Sequence, residues 1–97
     1  MVRRRAALPS VNDVSIFLLE AYVPQGTTPT GPGRLEVVAA AEQISDEGRP
    51  VRLVRTVQVP VDETCFYVFE ASSVTAVIEA ARRCGLQFER VVPAISA

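Results

Sequence analysis

The sequence predicts a two-layer α+β fold with two helices packed on one face of a four-stranded antiparallel sheet. Three observations carry that expectation. Apolar runs of strand length alternate with two stretches of helical periodicity in the order strand, helix, strand, strand, helix, strand. The link between the second and third strands, Pro60-Val61-Asp62-Glu63, is too short for anything but an antiparallel hairpin. The two strands richest in apolar residues are the first and third, which a βαββαβ chain with right-handed crossovers places in the centre of a sheet ordered 4-1-3-2. That arrangement is the ferredoxin-like plait.

The first strand is Val14 to Tyr22, rich in β-formers and stopped by Pro24 and Gly26. Both alternation sets are apolar: Val14, Ile16 and Leu18 on one side, Phe17, Leu19 and Ala21 on the other. A strand covered on both faces is central. Residues 24–33 hold Pro24, Pro29, Pro32 and several Gly and Thr, a loop composition, with Pro32 suited to the entry of a helix. From Arg34 to about Ser45, Val37, Val38, Ala41 and Ile44 form a stripe with Glu36, Glu42 and Gln43 outside it. Asp46 to Pro50 ends that helix, with Gly48 available for a left-handed turn. The second strand is Val51 to Val59 and the third Thr64 to Glu70. Ser72 or Ser73 caps a second helix with Val74, Val77, Ile78 and Ala81 on its apolar stripe and Gly85 at its end. Phe88 to Ile95 is the last strand, and Pro93 within it fits an edge position.

Ninety-seven residues, 48% apolar and 22% charged, make one ordinary globular domain, taken as residues 13–97, after a mobile basic tail over residues 1–12. Ten Arg against eleven acidic residues leave a net charge of -1, which provides no basic field for a nucleic-acid backbone. The chain contains no His, so Ser-His-Asp or Cys-His nucleophiles and imidazole metal sites are excluded. Arg3-Arg4-Arg5 is followed by Pro9, Ser10, Asn12 and Asp13 where a secretion signal needs an apolar run. No stretch approaches the ~20 apolar residues of a membrane span, so a cytoplasmic protein without membrane contact is expected. Cys65 and Cys84 have neither CxxC nor zinc-finger spacing and read as reduced core thiols.

Five residues stand out as candidates for ligand binding: Glu20, Tyr22, Arg55, Tyr67 and Glu70. Glu20 and Glu70 end otherwise apolar central strands, where a carboxylate either serves a ligand or simply emerges into solvent or pairs with Arg. Antiparallel strands put the two toward opposite ends of the sheet, which argues against a paired-carboxylate hydrolase. Arg52 and Arg55 have opposite parity and are expected on opposite faces, with Arg55 as the fork partner of Glu70. Tyr22 and Tyr67 offer hydroxyls to a cleft or rings to the core. The glycines at 26, 31 and 33 lack GxGxxG spacing and a P-loop Lys, so phosphate binding is not expected. Asp46-Glu47 and Asp62-Glu63 read as solvated turn charges. No catalytic residue is assigned. The helices cover one sheet face only, yet bulky groups (Phe17, Leu19, Tyr67 and Phe69, or their opposite-parity neighbours) must occupy the other, so a homodimer through the open face is expected.

Three segments together, Gly48-Arg49-Pro50-Val51-Arg52-Leu53-Val54-Arg55-Thr56, Val59 to Ala71 and Ala81-Arg82-Arg83-Cys84-Gly85-Leu86, resemble a bacterial family of small domains of unknown function. Its pattern runs GxPVRxLRS, a turn, CFxxFEAPS, a helix and RAGLPFxRV. With an acidic strand residue at Glu20 the resemblance spans residues 14–95. One branch comprises actinobacterial nickel-binding small proteins, so the resemblance implies a ferredoxin-like dimer and a nickel ion. This chain departs from the pattern with Ala80 where members carry His and Ser72 where they carry Pro. Without imidazole, nickel would rest on carboxylates, tyrosines and backbone oxygens, a weaker donor set for that metal. The expected function is thus a small, cytoplasmic, dimeric binding or sensing module without enzymatic activity, its ligand unidentified and a weakly held metal ion such as nickel the only cofactor considered. The alternative is a cofactor-independent enzyme like the dimeric α+β barrel monooxygenases. Those line their pockets with His, Asn or Trp, whereas this chain's one Asn, Asn12, is in the tail.

Overall fold

The two apolar faces of the central strands resolve differently in the folded chain. In the computed structural model, which describes residues 14–26 and 31–95, the elements are β1 (Ser15–Tyr22), α1 (Arg34–Asp46), β2 (Val51–Val59), a 3-10 turn (Pro60–Asp62), β3 (Thr64–Ala71), α2 (Val74–Cys84) and β4 (Arg90–Ala94). The sheet order is β2-β3-β1-β4 with every pairing antiparallel, the ferredoxin-like plait. The expected basic tail and part of the 24–33 loop lie outside the described residues.

Parity sorts the side chains. Phe17, Leu19 and Ala21 of β1, Val51 and Leu53 of β2, and Cys65, Phe69 and Ala71 of β3 are buried beneath the helices. Their opposites on β1 and β3, namely Ile16, Leu18, Phe66 and Val68, are half-buried on the face the helices leave open. Of the two alternatives, therefore, Phe17, Leu19, Tyr67 and Phe69 take the helix side. From the helices come Val37, Ala40, Ala41 and Ile44 of α1 and Ala76, Val77, Ala80 and Ala81 of α2, all buried. The alanines let α2 lie close to the sheet, and Ala80 sits in that core.

Helix ends follow the sequence closely. Ser73 Oγ accepts from the Ala76 N–H at 3.2 Å, settling which serine caps α2. Gly85, at φ +75°, closes α2 with Leu86 N–H donating to Ala81 C=O at 2.9 Å, and Leu86 folds back into the core. Gly48, at φ +94°, plays the same part for α1, where Arg49 N–H reaches Ile44 C=O at 3.2 Å. Ser45 Oγ then donates to Val51 C=O at 2.8 Å and accepts from its N–H at 3.0 Å, tying the end of α1 to the start of β2.

Glu47, a solvated turn charge on the sequence alone, joins a tertiary cluster in the fold. Glu47, just past α1, takes a two-pronged contact from Arg83 of α2, with Nη1 at 2.6 Å and Nη2 at 2.8 Å. Arg83 Nε also donates to Glu79 at 3.1 Å, and Arg49 reaches Glu47 at 3.4 Å. The Arg83 hydrogen bonds hold the Glu47 carboxyl below its ordinary value of 4.5. A folded-state value below the unfolded one means the contribution is complete above about pH 4.5 and is lost as pH falls through the depressed value. Urea titrations of wild type and Glu47→Gln should therefore differ most at pH 7 and draw together as the pH falls below 4.5. A gap that stays constant across that range would show the clamp to be electrostatically idle.

Candidate functional site

On the open face the register builds a grid of cross-strand rows. Arg52, Glu70, Ile16 and Ala94 form one row, then Arg55, Val68, Leu18 and Val92, then Val57, Phe66, Glu20 and Arg90. Val59, Thr64 and Tyr22 close the grid. The middle is apolar apart from Arg55 at its β2 edge, and two ion pairs stand at opposite corners. Arg52 Nη2 lies 2.6 Å from Glu70 Oε1, and Arg90 Nε lies 2.7 Å from Glu20 Oε2.

The partner of Glu70 is thus Arg52, not Arg55 as parity suggested. The ladder shifts between Leu53 and Arg55, leaving Val54 as an extra residue in β2. Past that bulge the alternation restarts with the opposite sense, so Arg52 and Arg55 share the open face rather than dividing between two. Arg55 sits opposite Val68, exposed and without an ion-pair partner among the described residues. Two predictions follow from this geometry. With Arg52 67% exposed, its coupling to Glu70 in a double-mutant cycle should be under ~1 kcal/mol. Arg55 should show no coupling to Glu70, and an Arg55 coupling above that of Arg52 would contradict the bulge.

Glu20 and Glu70 do lie toward opposite ends of the sheet, facing Phe66 and Ile16 respectively. Tyr67, by contrast, is on the helix side with Cys65, packed against the core. Burial pushes the Cys65 thiol up, a hydrogen bond with Tyr67 offsetting part of it, and burial likewise raises the Tyr67 hydroxyl. Tyr67 therefore lies on the opposite face of the sheet from Glu20 and Arg55. Both cysteines are free, Cys65 buried and Cys84 half-buried at the end of α2. Native alkylation with iodoacetamide should label Cys84 well before Cys65. Equal, rapid labelling of both without denaturant would mean that β3 opens.

The remaining candidates, Glu20 and Tyr22, come together at the C-terminal end of β1. There a shallow depression of about 260 Å³ is lined by Glu20, Ala21, Tyr22, Thr64 and Glu89. A second, of about 470 Å³, adjoins it through Tyr22 and Glu89 and continues over Leu86, Gln87 and Phe88. The backbone brings Glu89 here, because its N–H donates to Glu20 C=O at 2.7 Å and prolongs the β1–β4 ladder. Thr64 Oγ1 donates to Asp62 C=O at 2.9 Å, which leaves its oxygen able to accept. Glu63 takes φ +52° beyond the 3-10 turn, and its carboxylate accepts from Gln25 N–H at 2.8 Å. That contact fastens the chain after β1 to the β2–β3 hairpin and fixes the wall carrying Tyr22.

Nothing in the sequence sets Glu89 and Arg90 apart from the rest of the last strand. Strand parity alone would have paired Arg90 with Glu20 once the β1–β4 register was known. Among the described residues no three His, Cys, Asp or Glu side chains gather as metal ligands. The carboxylate nearest this role, Glu20, already gives an oxygen to Arg90. The described residues lining the depression offer only oxygen donors, a weaker set for nickel than imidazole or thiolate. No helix among the described residues is long and apolar enough to cross a membrane. No protein-family model, no curated protein and no solved structure matches the chain.

Proposed function

We propose that this protein is a small non-enzymatic binding or sensing module that works as a homodimer, two copies meeting through their open sheet faces. The observation that carries the reading is the grid of Ile16, Leu18, Phe66, Val68 and Val92, an apolar centre over which no element among the described residues is layered. A standard interface removes ~800 Å² per partner from water, enough to cover such a face. The corner ion pairs are arranged as a polar rim around an apolar core, the anatomy of a specific interface. Two free thiols fit a reducing compartment, which supports a cytoplasmic location. The ligand surface in this reading is the depression at the end of β1, where Glu20 and Tyr22 meet. The likeness to the bacterial family with nickel-binding members agrees with the plait and the dimer, whereas the donor set here does not support its metal. Sedimentation velocity at micromolar concentration should give twice the chain mass. A monomer that binds no apolar dye overturns the dimer.

A further inference from the structure

The depression at the end of β1 has a chemistry of its own. Tyr22 is 59% exposed, an aromatic ring standing open beside two carboxylates. Of these, Glu20 is neutralised by Arg90, at 2.7 Å. Glu89 is exposed, and its carboxylate has neither an ion pair nor a hydrogen bond among the described residues. The lining therefore presents one uncompensated negative charge beside an aromatic face, with the neutral Thr64 also in it. Over the shared rim, Phe88 is half-buried and Leu86 buried, which supplies apolar wall, and Gln87 supplies an amide.

We infer that this depression takes a small primary alkylammonium ion, its charged head between Glu89 and the Tyr22 ring and its alkyl stem along Phe88. The inference rests on the reading of this surface as the ligand site. An anion is opposed by the uncompensated Glu89 carboxylate. A hard divalent cation needs several oxygen ligands at once, and here Glu20 is committed to Arg90, leaving Glu89 as the one free carboxylate. A single charge with an apolar stem matches what remains: carboxylate attraction, cation–π contact with Tyr22, and burial of methylenes against Phe88.

Amide chemical shifts of the full chain, titrated with n-butylammonium chloride, n-butanol and magnesium chloride, test this. Butylammonium should move the amides of Tyr22, Thr64 and Glu89, while n-butanol leaves them in place. Glu89→Gln and Tyr22→Leu, both at exposed positions, should each weaken binding about two- to fivefold with the rest of the spectrum unchanged. Equal shifts with n-butanol, or none with butylammonium, overturn the inference, and so does magnesium moving the same amides further. Sedimentation of the same samples separates the two proposals. A dimer without butylammonium shifts removes this inference alone, and butylammonium binding by a monomer removes the dimer alone.

Discussion

Replacing Phe69 with alanine is expected to cost about 3–5 kcal/mol of folding stability, the largest effect of any single truncation in the chain. Phe69 is fully buried and is the largest side chain so placed among the described residues. It lies in the middle of β3, paired in register with Phe17 on one side and Leu53 on the other, so truncation opens a cavity where three strands and the helix layer converge. Central strands held on both sides collapse poorly around a void, which puts the cost at the high end for a phenylalanine. Small domains hold only about 5–15 kcal/mol in total, so the variant should be close to unfolding at room temperature. Leu35→Ala is the matched control. Leu35 is 82% exposed on α1 and should change stability by no more than about 0.5 kcal/mol. Urea unfolding measures both, and a Phe69→Ala loss below about 1.5 kcal/mol would show the helix–sheet core to be loosely packed.

Placing a carboxylate at the centre of the open face should separate the two protomers while sparing the fold of each. Leu18 faces Val68 and Val92 across its neighbouring strands, in the middle of the apolar grid. In a single chain Leu18 is half-exposed, so Leu18→Glu can keep its charge hydrated and should move the urea midpoint only slightly. Between two copies the same carboxylate would be buried without a partner, and symmetry would place two such charges near each other. The dissociation constant should rise at least about a hundredfold, the scale of a lost central anchor. Sedimentation velocity reads the effect directly. Leu18→Glu sedimenting as wild type, with unaltered stability, would show that this face is not where the copies meet.

Most of the topology was legible in the chain because it follows from local patterns. The hairpin length at Pro60-Val61-Asp62-Glu63, the cap at Ser73, the left-handed exits at Gly48 and Gly85 and the edge position of Pro93 each depend on a few adjacent residues. The stripe of α1 was nearly complete. It missed Ala40, which is buried, and placed Val38, which is half-buried, on the full stripe. A small side chain at a helix–sheet contact carries almost no hydropathy signal, yet it is what permits close approach.

The candidate residues were less legible, for a reason that β2 makes plain. Alternation assigns faces only while the ladder is unbroken, and the extra residue at Val54 reverses the assignment for everything after it. Arg55 thereby joined Arg52 on the open face and lost Glu70. Nothing in Val51-Arg52-Leu53-Val54-Arg55 marks the bulge, because pairing with β3 decides it. The Glu47–Arg83 contact was hidden likewise: its residues are 36 positions apart and meet only when α1 and α2 lie side by side.

The sequence by itself thus determined the order of elements, the antiparallel pairing of four strands and the identity of the central two, since these rest on periodicity and turn chemistry. Only the tertiary structure decided which apolar face of β1 and β3 the helices would cover, because both faces are equally hydrophobic and packing against Val37, Ile44 and Val77 breaks the tie. It also brought Glu89 beside Tyr22, through a ladder bond from Glu89 N–H to Glu20 C=O that no local pattern encodes. Contacts between residues far apart in the chain depend on register, and register is settled by the whole sheet at once.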